Sequence, residues 1–458
     1  MSDTIVAIAT PIGEGGIGVV RVSGGKALDI ASQLFHLRSG KATDQLTPRY
    51  VHSGEIRDPA TGGCIDDVLL TYFKSPHSYT GEDVVEISGH GGVYVVTRVL
   101  QLILTVGARL AEPGEFTRRA FLNGRLDLSQ AEAVADLIAA SSELALKAAV
   151  SQLKGVLSTR LNAVYDSLLS VLSQLEAAID FPDEDLKLQE KSKTLQQIRQ
   201  AQTELNSLVG SYRQGKIYRE GARVALVGKP NVGKSSLLNA LLQEDRAIVT
   251  PHPGTTRDLL EERVRIRDIH INIIDSAGIR HDPEHIEEMG IARTYDALAR
   301  ADLALVIFDN SQALGDNDDL LIRAVGGKPA LVLINKTDLP AKLDENKLRA
   351  RFADQEFIRL SAKTLVGMED LVDAIHRFIM QGKRTEDSVV ITRERHRDLL
   401  VRACDALGIA GESVERGMSE ELIAVDVNMA LDSLGTLIGK TFGEDLLDHI
   451  FSNFCIGK

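Results

Sequence analysis

The sequence predicts a multidomain protein of mixed α/β and α class, in which one domain is built on a mostly parallel sheet. The chain is 458 residues long, which at about 150 residues per domain allows roughly three domains. Strand-like and helix-like patterns alternate along it, and one segment places phosphate-binding and base-binding motifs after successive apolar runs. A hydrophobic content of 44% is enough for several cores.

Residues 1–120 are expected to form an α+β domain. Short β-branched runs alternate with Gly-rich turns in TIVAIAT, GIGVVRVSG, DDVLLTYF and DVVEISGHGG. Such runs are typical of strands, here around one or two helices.

Residues 121–220 are expected to form the first part of a helical domain. Val134, Leu137 and Ile138 are among the apolar residues that recur at helical spacing. The segment FPDED (181–185) interrupts this pattern, because proline disfavours a continuing helix.

The strand-rich segment 221–382 separates this part from a second helical part at 383–458. We therefore expect the segment to be inserted into one helical domain, which requires its two ends to lie close together. The alternative is four independent segments in a row.

The motif GxxxxGKS at Gly228–Ser235 predicts a phosphate-binding loop. An apolar run at Val224–Val227 precedes it and an amphipathic stretch at Ser236–Leu242 follows it. Glycines let backbone N–H groups approach phosphates, and a helix N-terminus favours negative charge. We expect Lys234 to reach the β- and γ-phosphates and Ser235 to ligate magnesium. The residues of this run expected to contact GTP are Asn231, Val232, Gly233, Lys234, Ser235 and Ser236.

A second motif, DSAG, follows the apolar run in HINIIDSAG. Asp275 can hold the magnesium shell through water, and the N–H of Gly278 can sense the γ-phosphate. Ser276 and Ala277 between them are also expected at the nucleotide.

Two further motifs predict that the base is guanine. In ALVLINKTD, the Asp338 carboxylate can accept two hydrogen bonds from the guanine ring N–H and amino group, a donor pair that adenine lacks. Lys336 can lay its stem on the ring, and Asn335 can tie this loop to the phosphate loop. In FIRLSAK, a backbone N–H can meet the guanine oxygen. Every motif follows a strand, as ligand loops of open parallel sheets do, so the segment 221–382 is predicted to be a P-loop GTPase domain of Ras-like fold. The FIRLSAK residues concerned are Ser361, Ala362 and Lys363.

Hydrolysis needs a group other than the residue after DSAG, because Ile279 cannot orient water. Asn231 can coordinate a monovalent cation, and TPHPGTTRD (250–258) can add carbonyls to it. A potassium ion there would neutralise charge between the phosphates, and Thr256 would complete the magnesium shell. The alternative makes Asn231 a loop-stabilising residue and TPHPGTTRD a flexible switch.

From end to end the chain resembles the MnmE (TrmE) family of tRNA modification GTPases. The resemblance rests on TIVAIATPIGEGGIGVVRVSG, TGEDVVEISGHGG, PGEFTRRAFLNGRLDLSQAEAVADLI, the GTPase motifs and the terminal CIGK. CIGK is the most specific of these, since other bacterial GTPases with GxPNVGKS and GTTRD do not end this way.

The resemblance implies roles for residues around the nucleotide. Magnesium would be bound by Ser235 and Thr256, and the catalytic glutamate would be Glu287, with Glu288 as the competing assignment. Arg257 and Arg280 would belong to the switch regions. Potassium-dependent contact between two G domains would stimulate hydrolysis. The implied potassium ligands are Asn231, Thr250, His252 and Thr255.

For residues 1–120 the resemblance implies a tetrahydrofolate-binding domain. A pterin ring presents the same donor pair as guanine, so the Glu86 carboxylate can bind it, and cations can meet the glutamate tail. Taken singly, Arg21 and Arg125 are more often surface charges. Cys455 would be linked to tRNA modification, although cysteine is also a common core residue. The implied folate contacts are Arg21, Glu86, Arg125 and Lys458.

The implied function is modification of the wobble uridine of certain tRNAs by a homodimer working with the FAD-dependent protein MnmG. An aminomethyl or carboxymethylaminomethyl group would be added at carbon five, with a tetrahydrofolate derivative as the one-carbon source. The alternative is an RNA- or ribosome-associated regulatory GTPase without modification chemistry.

Charge, cysteine content and hydropathy indicate the cellular compartment in which the protein is expected to work. The net charge of −13 argues against a protein coated in positive charge for binding nucleic acid, but not against a local basic face. Three widely spaced cysteines, Cys64, Cys404 and Cys455, fit a reducing compartment better than a disulfide framework or a zinc site. No apolar run approaches the about 20 residues that span a bilayer, and the N-terminus lacks a secretory signal. We expect a soluble, cytoplasmic protein.

Overall fold

The structure is a computed structural model, and it describes residues 3–38, 46–180, 188–244, 262–274, 295–352, 354–380 and 389–458. The chain divides into two compact units. The first contains Met1–Ile138, Ala149–Asn206 and Asp398–Lys458, and the second contains Ala139–Ala148 and Ser207–Arg397. The finer division predicted from the sequence, with parts at 1–120, 121–220, 221–382 and 383–458, stays a prediction.

The strands of the described residues form two sheets, one in each unit. In chain order they are β1 Ile5–Ile8, β2 Gly15–Ser23, β3 Phe35–Leu37, β4 Val51–Arg57, β5 Cys64–Phe73, β6 Val84–Gly91, β7 Arg109–Leu110, β8 Ala222–Gly228, β9 Glu262–Ile266, β10 Ile269–Ile274, β11 Leu303–Asp309, β12 Ala330–Asn335 and β13 Glu356–Arg359.

Helices occur in both units. In chain order they are α1 Ala27–Leu34, α2 Val93–Thr105, α3 Glu115–Leu122, α4 Leu128–Ala139, α5 Glu143–Leu153, α6 Val156–Asp180, α7 Leu188–Gly210, α8 Tyr212–Glu220, α9 Lys234–Glu244, α10 Asp316–Val325, α11 Glu345–Arg351, α12 Met368–Ile379, α13 Glu394–Glu415, α14 Glu420–Ile438 and α15 Glu444–Phe451. Among the described residues, every helix falls short of the length and apolar character that a membrane crossing requires.

The described residues of the first unit form a seven-stranded sheet of order β3-β4-β5-β6-β2-β1-β7. Its neighbours are antiparallel except β1 and β7. Side chains alternate along β5, so that Val68 and Leu70 are buried while Asp67 and Leu69 are exposed. The buried face packs with α1 and α2 into one core. The other face is therefore able to carry polar groups.

Two of the long helices described in the helical part of the first unit, α6 and α14, each carry a stripe of buried residues. In α6 the buried residues Leu157, Leu161, Val164, Leu168, Val171 and Leu175 are spaced alternately by four and three. In α14 the buried residues Ile423, Val427, Ala430 and Leu434 follow the same spacing. This spacing gives each helix a single apolar seam, and the two helices pack together.

The described residues of the second unit form a six-stranded sheet of order β13-β12-β11-β8-β10-β9. All neighbours are parallel except β9 and β10. Strands β11 and β12 are buried along their whole length, because apolar clusters cover both faces of the sheet. The mostly parallel sheet expected for the GTPase domain is confirmed.

The order of strands in this sheet reverses at β8. Strand β10 follows β8 on one side, and β11, β12 and β13 continue on the other. Ligands of open parallel sheets bind at such a switch point, beyond the carboxyl ends of the strands. The topology therefore indicates a ligand site at the loop after β8.

Candidate functional site

The loop after β8 has the backbone of a phosphate-binding loop. Asn231 and Gly233 have φ values of 64° and 103°, which lie in the left-handed region. A Cβ on Gly233 would lie 2.3 Å from Nδ2 of Asn335, so the position requires glycine. Helix α9 begins at Lys234, whose Nζ donates to the carbonyls of Gly228 at 2.6 Å and Lys229 at 2.8 Å. The predicted strand and helix around this loop are both present.

Ser235 and Ser236 are exposed in the first turn of α9, and Val232 is buried below the loop. An exposed first turn leaves its N–H groups and hydroxyls accessible to an anion or a metal. The Lys229 ammonium is held by the buried Asp318 carboxylate in the first turn of α10, which anchors the loop on its other side.

One buried amide joins three loops. Asn335, the last residue of β12, is 1% exposed. Its Nδ2 donates to the Val232 carbonyl at 2.8 Å, and its Oδ1 accepts from the Ala362 N–H at 3.0 Å. The amide therefore connects the phosphate loop with two loops that are predicted to bind the base, namely the base loop at 335–339 and the SAK loop at 361–363. Both polar atoms of the amide are satisfied.

The Asp338 carboxylate is oriented by Ser361. Ser361 is 1% exposed, and its Oγ donates to Oδ1 of Asp338 at 2.7 Å. The same Oγ accepts the Thr364 N–H at 3.2 Å. The carboxylate that is predicted to recognise guanine is thus held by a buried hydroxyl, and the neighbouring Lys363 is exposed.

Lys336 links the base loop to the phosphate loop. Its Nζ donates to the Asn231 carbonyl and forms an ion pair with Oδ2 of Asp309, each at 2.7 Å. Burial would raise the pKa of Asp309, but hydrogen bonds from Lys336 and Ser311 outweigh burial and hold this pKa below its ordinary value.

Asp309 was not among the site residues predicted from the sequence. It ends the apolar strand LALVIFD, and β11 lies between β8 and β12, which both lead into predicted loops. An acidic residue at the end of a fully apolar strand is the signal that could have found it.

Several predicted residues lie outside the described residues. Strand β10 ends at Ile274, directly before the DSAG motif. The predicted residues outside the described ranges are Thr250, His252, Thr255, Thr256, Arg257, Asp275, Ser276, Ala277, Gly278, Arg280, Glu287 and Glu288.

A second cluster of charged groups lies on the sheet of the first unit. Arg21 on β2 and Glu86 on β6 are partners in the antiparallel register. The Arg21 guanidinium contacts Oε1 of Glu86 at 2.8 Å and lies over the Tyr79 and Phe116 rings, with centroid distances of 5.6 and 5.7 Å. Its Nη1 also donates to the Gly457 carbonyl at 3.3 Å. Residues from both ends of the chain therefore meet here.

The C-terminal turn brings Lys458 to the same cluster. Burial lowers the pKa of Lys458, with further lowering by the Arg21 charge and partial opposition from Glu86. Gly457 has a φ of 97°, and a Cβ there would lie 2.5 Å from the Ile8 carbonyl oxygen. The turn thus packs closely against the end of β1.

Arg125 and Cys455 lie at the margin of this cluster. The Nε of Arg125 donates to the carbonyl of Ser78, the residue before Tyr79, at 3.2 Å. Cys455 is exposed, and its carbonyl accepts from the Lys458 N–H at 3.3 Å. The structure thus pairs Arg21 with Glu86, brings Lys458 within range of the charges of both, and ties Arg125 to the backbone of the residue that precedes Tyr79.

Comparisons with known proteins cover the whole chain. Residues 4–125 match the family model "GTP-binding protein TrmE N-terminus", and residues 128–455 match "MnmE helical domain". The tRNA modification GTPase MnmE of Alkaliphilus metalliredigens is 46% identical over 459 aligned residues, which cover 100% of both chains. The protein of that name in Thermoanaerobacter pseudethanolicus is 44% identical, with 100% of this chain and 99% of the relative covered. The G domain of the T. maritima FeoB iron transporter is 27% identical over 34% of this chain and 98% of its own, with a TM-score of 0.26.

Proposed function

This chain belongs to the MnmE family of tRNA modification GTPases, and we propose that it is a potassium-dependent GTPase that acts with MnmG. It hydrolyses GTP to GDP and phosphate in the course of tRNA modification. The proposed modification adds an aminomethyl or carboxymethylaminomethyl group to carbon five of the wobble uridine of certain tRNAs. A tetrahydrofolate derivative is the proposed one-carbon source.

The observation that best supports guanine-nucleotide chemistry is the buried Asn335 amide. Its two hydrogen bonds hold the phosphate loop, the base loop and the SAK loop in one arrangement. A site that is organised before the ligand arrives loses less entropy on binding. The Ser361 hydroxyl then presents the Asp338 carboxylate to the ring N–H and amino group of guanine. Guanine offers that donor pair and adenine does not, so we infer specificity for GTP.

The magnesium ion used by such GTPases would be held by Ser235 and Thr256, with Asp275 in its outer shell. The Ser235 hydroxyl, exposed in the first turn of α9, is an oxygen donor of the kind that magnesium prefers. When bound, the ion neutralises charge on the phosphates. Thr256 and Asp275, together with the proposed catalytic Glu287, lie outside the described residues.

Potassium would be held by Asn231 together with Thr250, His252 and Thr255. The Asn231 side chain is exposed, and its backbone carbonyl is engaged by Lys336. The amide oxygen is therefore the group of this residue that suits a hard cation. A bound potassium ion supplies positive charge between the phosphates, and we propose that it acts when two G domains pair. The other three proposed ligands lie outside the described residues.

The cluster of Arg21, Glu86 and Lys458 supports the folate proposal. It combines a carboxylate suited to the pterin donors with two cations suited to the carboxylates of a glutamate tail. The partly exposed Tyr79 ring beside Arg21 adds apolar surface for a flat heterocycle, and the fully buried Phe116 ring packs against the Arg21 guanidinium. Arg125 is a more distant proposed contact, and the exposed Cys455 is a proposed participant in the modification.

GTP turnover in potassium and in sodium at matched ionic strength, across a range of protein concentrations, tests the proposal. We expect strong activation by potassium that increases with protein concentration, because the paired G domains complete the site. Asn231→Ala should remove this activation while GTP still binds. Asn239→Ala, which removes an exposed amide from the same domain, is the matched control. Equal turnover of the natural protein in both salts would refute the potassium mechanism.

A further inference from the structure

Strand β11 ends at Asp309, and this residue and the following Asn310 are two buried polar residues beside the proposed nucleotide site. Asp309 and Asn310 are each 4% exposed. A buried carboxylate is costly unless it is paired and hydrogen-bonded. The groups that hold these two residues therefore indicate what they do.

The Asp309 carboxylate is bound by two residues. Its Oδ1 accepts from the Ser311 N–H at 2.8 Å and from the Ser311 Oγ at 2.7 Å. Its Oδ2 accepts from Nζ of Lys336 at 2.7 Å. The same ammonium donates to the Asn231 carbonyl at 2.7 Å, so a single cation joins β11, the base loop and the phosphate loop.

Asn310 holds the base loop at both of its ends. Its N–H donates to the Asn335 carbonyl at 2.9 Å, and its Nδ2 donates to the Leu339 carbonyl at 3.1 Å. Its carbonyl accepts from the Lys342 N–H at 2.8 Å. The backbone of the base loop is thus fixed by Asn310, and the Lys336 side chain is fixed by Asp309.

We propose that Asp309 is a positioning residue for guanine-nucleotide binding, an inference that rests on the proposed function. The carboxylate holds the Lys336 ammonium so that the methylene stem of Lys336 is already in place to cover the guanine ring. Through the same ammonium it holds the backbone of Asn231, the proposed potassium ligand. Loss of the Asp309 charge releases the lysine side chain, which must then be ordered when the nucleotide binds.

The test is titration of the full-length chain with a fluorescent GDP analogue, together with steady-state GTP turnover. Asp309→Asn keeps the size of the side chain but removes its charge. We expect it to raise the Kd for GDP about tenfold, the size of one charge-assisted hydrogen bond. We expect kcat at saturating GTP and potassium to fall less than about twofold. The entropy lost in ordering the Lys336 side chain weakens binding and does not slow the hydrolysis of bound GTP. The split between affinity and kcat distinguishes positioning from general loss of structure.

Two further variants assign the effect to the ion pair. Lys336→Met keeps an apolar stem without the ammonium, and in that background Asp309→Asn should add little further loss. Ser311→Ala removes one hydroxyl from the Asp309 carboxylate but keeps the lysine pair, so its Kd should stay within about twofold of the natural value. Asp319→Asn, in an exposed ion pair with Arg351 of the same unit, is the control for loss of a carboxylate.

An unchanged Kd in Asp309→Asn would overturn the inference, as would fully additive losses in the Asp309–Lys336 cycle. It would also be overturned if Ser311→Ala weakened binding as much as Asp309→Asn. If Asp309→Asn does not fold, as judged by circular dichroism, the comparison of Lys336→Met with Ser311→Ala decides: the first must weaken binding and the second must not. Failure of the natural protein to bind GDP would instead refute the proposed function.

Discussion

The proposed nucleotide site lies at the ends of neighbouring parallel strands, whereas the proposed folate site lies across the middle of an antiparallel sheet and is completed by the last residues of the chain. In the first case the functional side chains lie at or just after the end of the apolar strand that positions them, as Asn335 lies at the end of β12. In the second case Arg21 and Glu86 are 65 residues apart and meet only through strand register. The difference teaches that a parallel sheet makes its binding loops readable from sequence, because its carboxyl ends share one edge.

The two sites also differ in burial. Asn335 is 1% exposed and both of its amide atoms are bonded, so its loss leaves buried groups without partners. The Arg21 and Glu86 side chains are 15% and 28% exposed, so water can partly replace their contact. Perturbations of the nucleotide site should therefore have the larger effects.

The largest effect is expected for Gly233→Ala. The added methyl would press against the Asn335 amide in a backbone conformation that favours glycine. We expect GDP affinity to fall about a hundredfold, since overpacking costs up to about 3 kcal/mol. Gly326→Ala is the matched control, because that glycine also has positive φ but its added methyl would lie in ordinary contact, 3.7 Å from the Arg323 carbonyl oxygen. Equal losses in the two variants would mean that backbone strain alone is responsible.

An intermediate effect is expected for Glu86→Gln. The change removes the charge that faces Arg21 and the proposed pterin donors, and the partial exposure of the pair limits the loss. Calorimetric titration with formyl-tetrahydrofolate should show affinity reduced about tenfold. Glu55→Gln, which removes a carboxylate paired with Arg57 on the same sheet, should bind like the natural protein. Binding that is unaffected by Glu86→Gln would remove this residue from the folate site.

The smallest effect is expected for Gly457→Ala. The added methyl would meet the Ile8 carbonyl and move the C-terminal turn away from Arg21. We expect folate affinity to fall about fivefold, the equivalent of about 1 kcal/mol of strain, because Glu86 remains in place. Gly124→Ala, at a φ of 69° with nothing near the new methyl, provides the comparison. A loss greater than that of Glu86→Gln would show that the turn, and not the sheet, carries most of the binding.

More of the second unit than of the first could be predicted from the sequence. In the second unit the sequence predicted the strands that precede the phosphate loop, the base loop and the SAK loop. The hydrogen bond expected from Asn335 to the phosphate loop is present. Asp309 and the Lys229–Asp318 pair were missed, because each depends on which strands and helices are neighbours. In the first unit the folate residues were reached only through the family resemblance, and β4 was not predicted because VHSGEIR lacks a β-branched run.

The sequence alone specifies the local elements of this protein: the strand-loop-helix of the phosphate loop, the motifs proposed to recognise guanine, and the apolar seams of the long helices. These depend on patterns within about 20 residues, where periodicity and turn chemistry act directly. Tertiary structure alone decided that Lys336 is held by Asp309 and that Arg21 meets both Glu86 and Gly457. Such contacts depend on strand order and register, which many distant side chains set together through burial of a common core.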